Sequence, residues 1–327
     1  MRLSRISPRE VPNASMSYVV TGGCGFIGSN FVNYLDKVVD DEVVVLDNLT
    51  YAGDSDNITK SNKIRVVQCD ITDETCVHNL IKHNEPKAIF HFAAESHVDN
   101  SITDPTKFVH TNTVGTMCLL QGVKEYSPET MFVHISTDEV YGALTHDGSS
   151  FLENKVLEPN NVYSASKAGA DLLVRAYHKT YGMNVVTTRC CNNYGPRQHT
   201  EKLLPKVISN AINDINIPVY GKGDNVREWI FVEDHCRAIY EIFKSGKSGD
   251  IYNIGSGIEI NNLDLVKQVL TSLNKPFSLI KFVQDRPGHD FRYSIDSRKF
   301  NNLAPDFVFK DFNEGIEETI KWYKRVY

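Results

Sequence analysis

Between Ser17 and Cys190 the chain repeats one pattern six times. Short runs rich in β-branched residues, SYVVTGG, DEVVVLDN, KIRVVQCD, KAIFHFAA, TMFVHIS and MNVVTTRC, are each bounded by turn or polar residues. Longer stretches with helical periodicity, at 26–37, 73–83, 107–126 and 164–181, fall between most of them. Strands this apolar on both faces do not border water. Their alternation with helices predicts an α/β fold, a Rossmann-type doubly wound parallel sheet covered on both sides.

After Cys191 the rhythm breaks at Pro196, Pro205, Pro218 and several glycines. A strand–helix–strand echo returns at WIFVEDHCRAIYEIFKSGKSGDIYNIGSG, and shorter elements follow from about residue 260. This texture predicts a dinucleotide-binding domain from 16–195 plus 229–258. A smaller α/β substrate-binding lobe would come from 196–228 plus 259–327. Residues 1–15 read as a flexible extension; they contain Pro and Glu and lack an apolar core, so they do not read as a secretory signal.

Composition narrows the partners. A net charge of −6 with no long Lys/Arg block argues against nucleic acid. No apolar run approaches ~20 residues, so a membrane span is not expected, and the reading is a cytoplasmic protein. The seven cysteines follow no C-x-x-C or zinc spacing and read as buried reduced thiols. The eleven histidines show no paired metal spacing, and no metal is expected; His91 and His134 lie in strand runs and read as core or cleft histidines.

VVTGGCGFIGSN places Gly22, Gly25 and Gly28 between the first strand and the first helix. One glycine permits the turn, one admits a pyrophosphate and one allows close helix–strand packing. Helix N–H groups then face the diphosphate. Asp47 closes the second strand 19 residues past Gly28, where a carboxylate binds ribose hydroxyls and repels a 2′-phosphate. That favours NAD over NADP. Asp70, ending the third strand, is placed to reach the adenine or to cap the next helix.

YSASK puts Tyr163 and Lys167 one helical turn apart on a shared face. A tyrosine ordinarily titrates near 10, so acting as a base near neutrality requires roughly 4 kcal/mol of charge stabilisation. A nearby ammonium and a nicotinamide cation supply that kind of field. VHISTDEVYG sets Asp138 and Glu139 side by side where an apolar strand ends. Two adjacent carboxylates repel and are costly to desolvate, so the pair calls for a chemical reason.

These segments, with HFAAESHVD, NNYGPRQ, EKLLP, YGKGDNVREWIFVEDH, YNIGSG and RPGHDFRY, resemble the extended short-chain dehydrogenases/reductases. The similarity is closest to the branch of dTDP-glucose 4,6-dehydratases and their UDP-glucose-using relatives, and it runs from about residue 16 almost to the C-terminus. It implies NAD-dependent oxidation at C4 of a nucleotide-linked glucose, loss of water across C5–C6, and return of hydride to C6. In that scheme Tyr163 is the base at C4, helped by Lys167 and Thr137; Asp138 is the acid toward the C6 oxygen and Glu139 the base at C5. Related 4-epimerases look alike but lack the acidic pair. The resemblance further implies that Phe26, Ile27, Asn48, Leu49, Thr50, Ile71, Phe92, Ala93, Ala94, Glu95, Thr111 and Asn193 join the glycines, Asp47 and Asp70 around NAD.

For the substrate it implies Ser96, Asn192, Lys202, Leu203, Pro218, Tyr220, Arg227, Asn262, Arg286, His289 and Tyr293, with Thr137. The arginines would take the diphosphate. Family members pair as homodimers through two long helices, here 107–126 and 164–181. Competing readings are a 4-epimerase of the same fold and a non-catalytic NAD-binding regulator. One loop does not choose dTDP or UDP, because a methyl group discriminates by only ~1–3 kcal/mol.

Overall fold

The computed structural model describes residues 17–146, 148–285 and 289–326. The extension 1–15 and Arg286 lie outside them. The main sheet takes the six expected strands, β1 (Ser17–Thr21), β2 (Glu42–Asp47), β3 (Ile64–Gln68), β4 (Ala88–His91), β5 (Met131–Thr137) and β6 (Val185–Cys190). All pairs are parallel. Helices α1 (Phe26–Val38), α2 (Glu74–Asn84), α3 (Val98–Thr103), α4 (Pro105–Val109), α5 (Thr116–Tyr126) and α6 (Val162–Tyr181) connect them.

Strand side chains alternate between two cores. Val20, Val45, Phe90 and Val133 pack in the core that includes Phe31 and Leu35 of α1. Val19, Leu46, Ile89 and Phe132 pack in the core that includes Leu119, Leu120 and Val174 of α5 and α6. This two-sided burial is why the runs read as continuously apolar. β3 is the edge strand and is largely exposed.

Downstream come β7 (Asn192–Tyr194), α7 (Leu203–Ile212), β8 (Ile217–Tyr220), β9 (Val226–Phe231), α8 (Val232–Ser245), β10 (Ile251–Ile254), β11 (Glu259–Asn261), α9 (Asn262–Ser272), β12 (Ile280–Val283), α10 (Arg298–Leu303) and α11 (Phe312–Val326). β10 extends the main sheet beside β6, giving the order β10-β6-β5-β4-β1-β2-β3. The order reverses direction between β1 and β4, and ligands of open α/β sheets bind at such a switch point beyond the strand ends. The other five strands form small sheets, β11-β9-β7 and β12-β8, around a third core of Val207, Ile208, Trp229, Phe231, Val266 and Ile316.

Two local features depart from the sequence expectation. The stretch 107–126 is not one regular helix; a π-helical segment spans His110–Gly115 between α4 and α5. And the cysteines are not all reduced. Cys69 and Cys76 are bonded across seven residues, with Cα atoms 6.4 Å apart. The Asp73 carboxylate accepts the Cys76 N–H at the start of α2, and this turn brings the second cysteine back beside the first. Cys24, Cys118, Cys190, Cys191 and Cys236 are free and buried.

Candidate active site

A cavity of about 350 Å³ opens at the switch point. Its dinucleotide end is made largely of backbone. Gly22 has φ +67°, and a Cβ there would lie 2.6 Å from the Ala93 nitrogen. A Cβ on Gly28 would lie 2.1 Å from the Gly22 oxygen, so any side chain there would separate α1 from the turn. Gly25 is the N-cap of α1, and no side chain caps that end. Its first-turn N–H groups are therefore open to an anion.

Asp47 is 8% exposed and anchored by two backbone N–H groups, Cys24 to Oδ2 at 2.9 Å and Leu49 to Oδ1 at 2.8 Å. Asp70 accepts from Asn48 Nδ2 at 2.7 Å and from Thr72. Asp73, not Asp70, caps α2. These features, a cradle that a Cβ would fill and an anchored acid on the second strand, fit a dinucleotide with free ribose hydroxyls.

The cavity lining takes in Gly22, Gly25, Phe26, Ile27, Gly28, Asp47, Asn48, Thr50, Asp70 and Ile71. It continues through Phe92, Ala93, Ala94, Glu95, Ser96 and Thr111, and then Asn192, Asn193 and Lys202. Leu49 is not in the lining; it has φ +52° and packs against the main core.

At the other end of the cavity stand Thr137, Asp138, Glu139, Tyr163 and Lys167. β5 delivers the first three. Its last residue, Thr137, caps a 3-10 turn over Asp138–Tyr141, its Oγ1 accepting the Glu139 N–H at 3.3 Å and donating to Asp138 Oδ1 at 3.2 Å. Asp138 is 2% exposed and its Oδ2 has no hydrogen-bond partner. Burial, then Glu139 and Glu228, hold its carboxyl well above the usual range, which favours its protonated form.

α6 delivers Tyr163 and Lys167, with Asn161 and Ser164 forming a capping box at its start. Lys167 is 4% exposed and donates from Nζ to the Ile135 carbonyl oxygen at 2.8 Å. Burial lowers its pKa, and Asp171 opposes that. The phenol of Tyr163 is not lowered by the protein alone, as a simple Tyr–Lys reading expects. Burial first, then Glu139 and Cys190, push it well above 10, against a hydrogen bond with Thr137.

The remaining substrate-side residues gather next to this cavity, outside its lining. Arg227 lies over the Tyr293 ring at 4.5 Å and donates to the carbonyl oxygens of Asp290 and Phe291. Tyr293 bonds the Asp290 carboxylate. Tyr220 and His289 meet edge to face at 6.2 Å. Asn262 opens α9 with its Oδ1 buried and unpartnered, and Pro218 lies on β8 beside Lys281. Leu203 opens α7 beside Lys202, whose Nζ reaches the Ser96 carbonyl at 2.6 Å and ties the two sides together.

Three contributors escaped sequence reasoning. Asn112, in the π-helical segment, brackets Glu95 by accepting its N–H at 2.8 Å and donating to its carbonyl at 3.0 Å. Lys107 pairs with the Glu95 carboxylate at 2.7 Å. Glu228 is fully buried, accepting N–H groups from Gly257 at 2.7 Å and Ile295 at 3.0 Å. A helix pattern carries no sign of a π turn, and Glu228 is one acid among many in the sequence.

Fold and site together define a dinucleotide-binding Rossmann protein with a Tyr–Lys pair and an acidic pair, buried Asp138 and half-buried Glu139, in one cleft. The model of the GDP-mannose 4,6 dehydratase family matches residues 19–318, and the chain belongs to that family. It is 48% identical to the low-salt glycan biosynthesis protein Agl12 of Haloferax volcanii, over 94% of this chain and 98% of that one. It is 42% identical to an Escherichia coli dTDP-glucose 4,6-dehydratase, over 94% and 93%. The solved dTDP-glucose 4,6-dehydratase DesIV of Streptomyces venezuelae, with NAD bound, superposes with a TM-score of 0.90 at 45% identity, covering 95% of this chain and 97% of that one. A Thermus thermophilus UDP-glucose 4-epimerase is also similar, at 27% identity.

Proposed function

We propose that this chain is an NAD-dependent dTDP-glucose 4,6-dehydratase. The observation that carries the reading is the acidic pair: Asp138 and Glu139 line the same cavity as Tyr163 and Lys167. Oxidation and re-reduction at C4, as an epimerase performs, uses only Tyr163 and Lys167. Loss of water uses two more proton carriers, and here they stand in different environments. Asp138 is buried, and its carboxyl is pushed upward by that burial, the environment that suits a general acid toward the C6 hydroxyl. Glu139 is half-buried and serves as the base at C5, whose proton the C4 ketone acidifies.

The glycine turn, Asp47 and Asp70 would hold NAD, which when bound would supply the hydride acceptor for C4 and the hydride donor for C6. Tyr163 takes the C4 hydroxyl proton, with Thr137 on the same oxygen. Glu139 removes the C5 proton while Asp138 protonates the departing hydroxyl as water. Glu139 then returns its proton to C5, and release of the C4 hydroxyl proton from Tyr163 balances the proton that Asp138 takes back. The product is the 4-keto-6-deoxyglucose nucleotide, and the reaction has no net redox change.

The lobe built from 196–228 and 259–327 binds the nucleotide, with Arg227, Tyr293, Tyr220, His289 and Asn262 as its contacts and the dinucleotide domain opposite. The enzyme works in the cytoplasm as a homodimer. Val109, Val114 and Met117 on the 105–126 segment and Leu172 and Tyr181 on α6 are exposed apolar side chains on adjacent packed helices, which supports that pairing. A monomer by light scattering at micromolar concentration would refute the dimer. The test of function supplies dTDP-glucose and UDP-glucose in parallel. The expected product is a keto sugar lighter by one water, formed faster from dTDP-glucose. Formation of dTDP-galactose instead would favour the epimerase reading.

A further inference from the structure

The catalytic face of α6 does not end at Lys167. Tyr163, Lys167 and Asp171 recur every four residues, so they lie along one side of the helix, and Asp171 is 4% exposed. Its two oxygens are held from the sheet beneath. Oδ2 accepts from Arg189 Nε of β6 at 2.8 Å, and Oδ1 accepts from His134 Nε2 of β5 at 3.1 Å. Behind His134 its ring neighbour His91, at 5.5 Å, is clamped between Thr21 at 2.7 Å and Thr116 at 2.9 Å. The array reaches the cavity lining through Lys167 and the end of β5, and through Thr21, whose Oγ1 accepts the Ala93 N–H at 3.2 Å.

We infer that Asp171 is a positioning residue that keeps Lys167 in its cationic form. A buried lysine loses its proton readily unless an anion stands nearby, and Asp171 is the carboxylate one turn further along its face. Arg189 does not cancel this effect. It bonds Asp171 Oδ2, extends toward the Glu153 carbonyl and lies over the Tyr141 ring at 4.7 Å. Its work is to hold Asp171 ionised, and with the His134 bond it outweighs burial and keeps that acid down at about 2.

The other groups around the pair do not supply the anion. His134 and His91 are kept neutral by burial. The Cys190 thiol from β6 is pushed up to about 12. Ser136 from β5, and Asn112 and Thr113 from the π-helical segment against Ser166, carry no charge. Asp138 and Glu139 face Tyr163, at the opposite end of the array.

This inference rests on the dehydratase reading, since Lys167 matters only if Tyr163 is the base. The test is the pH profile of kcat/KM for dTDP-glucose in wild type, Asp171→Asn, and the double variant Asp171→Asn with Arg189→Gln. The double variant removes one charge of each sign and so keeps the core neutral if the single variant fails to fold. Loss of the Asp171 anion makes Lys167 give up its proton sooner. The alkaline limb is expected to move down by about one pH unit or more, the scale of one nearby opposite charge. A purely structural role lowers the height of the profile and leaves both limbs in place, and that result in the folded double variant overturns the inference. Failure of the wild type to convert any hexose nucleotide overturns the functional reading itself and takes this inference with it.

Discussion

At its dinucleotide end the cleft is built from backbone and missing side chains, whereas at its sugar end it is built from buried charge. Gly22, Gly25 and Gly28 act by having no Cβ, and Asp47 and Asp70 are anchored there by N–H donors. The sugar end packs Asp138, Lys167 and Asp171 at 4% exposure or less, with Tyr163 half-buried beside them. The two ends answer to different physics. Backbone recognition is indifferent to pH, while a buried titratable cluster sets proton affinities by burial and mutual charge. Changes at one end should therefore move affinity, and changes at the other should move rate and pH dependence.

The largest effect is expected from Asp138→Asn or Glu139→Gln. Each removes one proton carrier and should slow dehydration by about 10²–10⁴-fold, the usual worth of general acid–base catalysis. C4 oxidation should partly survive, so reduced cofactor should accumulate, read by its absorbance. Wild-type turnover in the double variant would sink these roles.

Next comes Glu228, whose carboxyl burial raises from 4.5 to about 7 despite two backbone donors. A raised folded-state pKa means that the fold holds the proton more tightly than the unfolded chain does. The contribution is complete below pH 4.5 and disappears as pH rises through about 7, a span worth about 3 kcal/mol. Melting temperature followed against pH should fall across that window in wild type and stay flatter in Glu228→Gln. Equal slopes would show that the buried charge is elsewhere.

At the backbone end, Gly28→Ala should cost about 1–3 kcal/mol by overpacking, because the Gly22 oxygen stands where its Cβ would go. Thermal shift with and without NAD should show weaker cofactor stabilisation and no change in pH dependence. The smallest effect is expected from Asp47→Asn. The amide keeps the shape but drops the charge, so the preference for NAD over NADP should shrink by about tenfold, measured by titration of each. A pH-dependent loss in either variant would blur the division between the two ends.

How much of this could be read beforehand follows the same division. Backbone recognition is written locally: the Gly22–Gly28 spacing and an acid at the end of the second strand lie within one βαβ unit, and the structure brings them together as expected. The Tyr163–Lys167 and Asp138–Glu139 pairs were visible because each is a short motif. The partners that tune them were not. Asp171 meets Arg189 and His134 across a helix and two strands, and Glu228 reaches Gly257 and Ile295 across loops. The disulfide between Cys69 and Cys76 escaped because spacing alone does not reveal that a cap turn doubles the chain back.

By itself the sequence determined the parallel sheet, the glycine turn and the two short motifs that carry Tyr163, Lys167, Asp138 and Glu139. Those depend on periodicity and on contacts within a few residues, which a linear pattern records. Only the tertiary structure decided which proton affinities those residues have. Burial and charge are fields summed over neighbours distant in sequence, and a chain read residue by residue does not contain that sum.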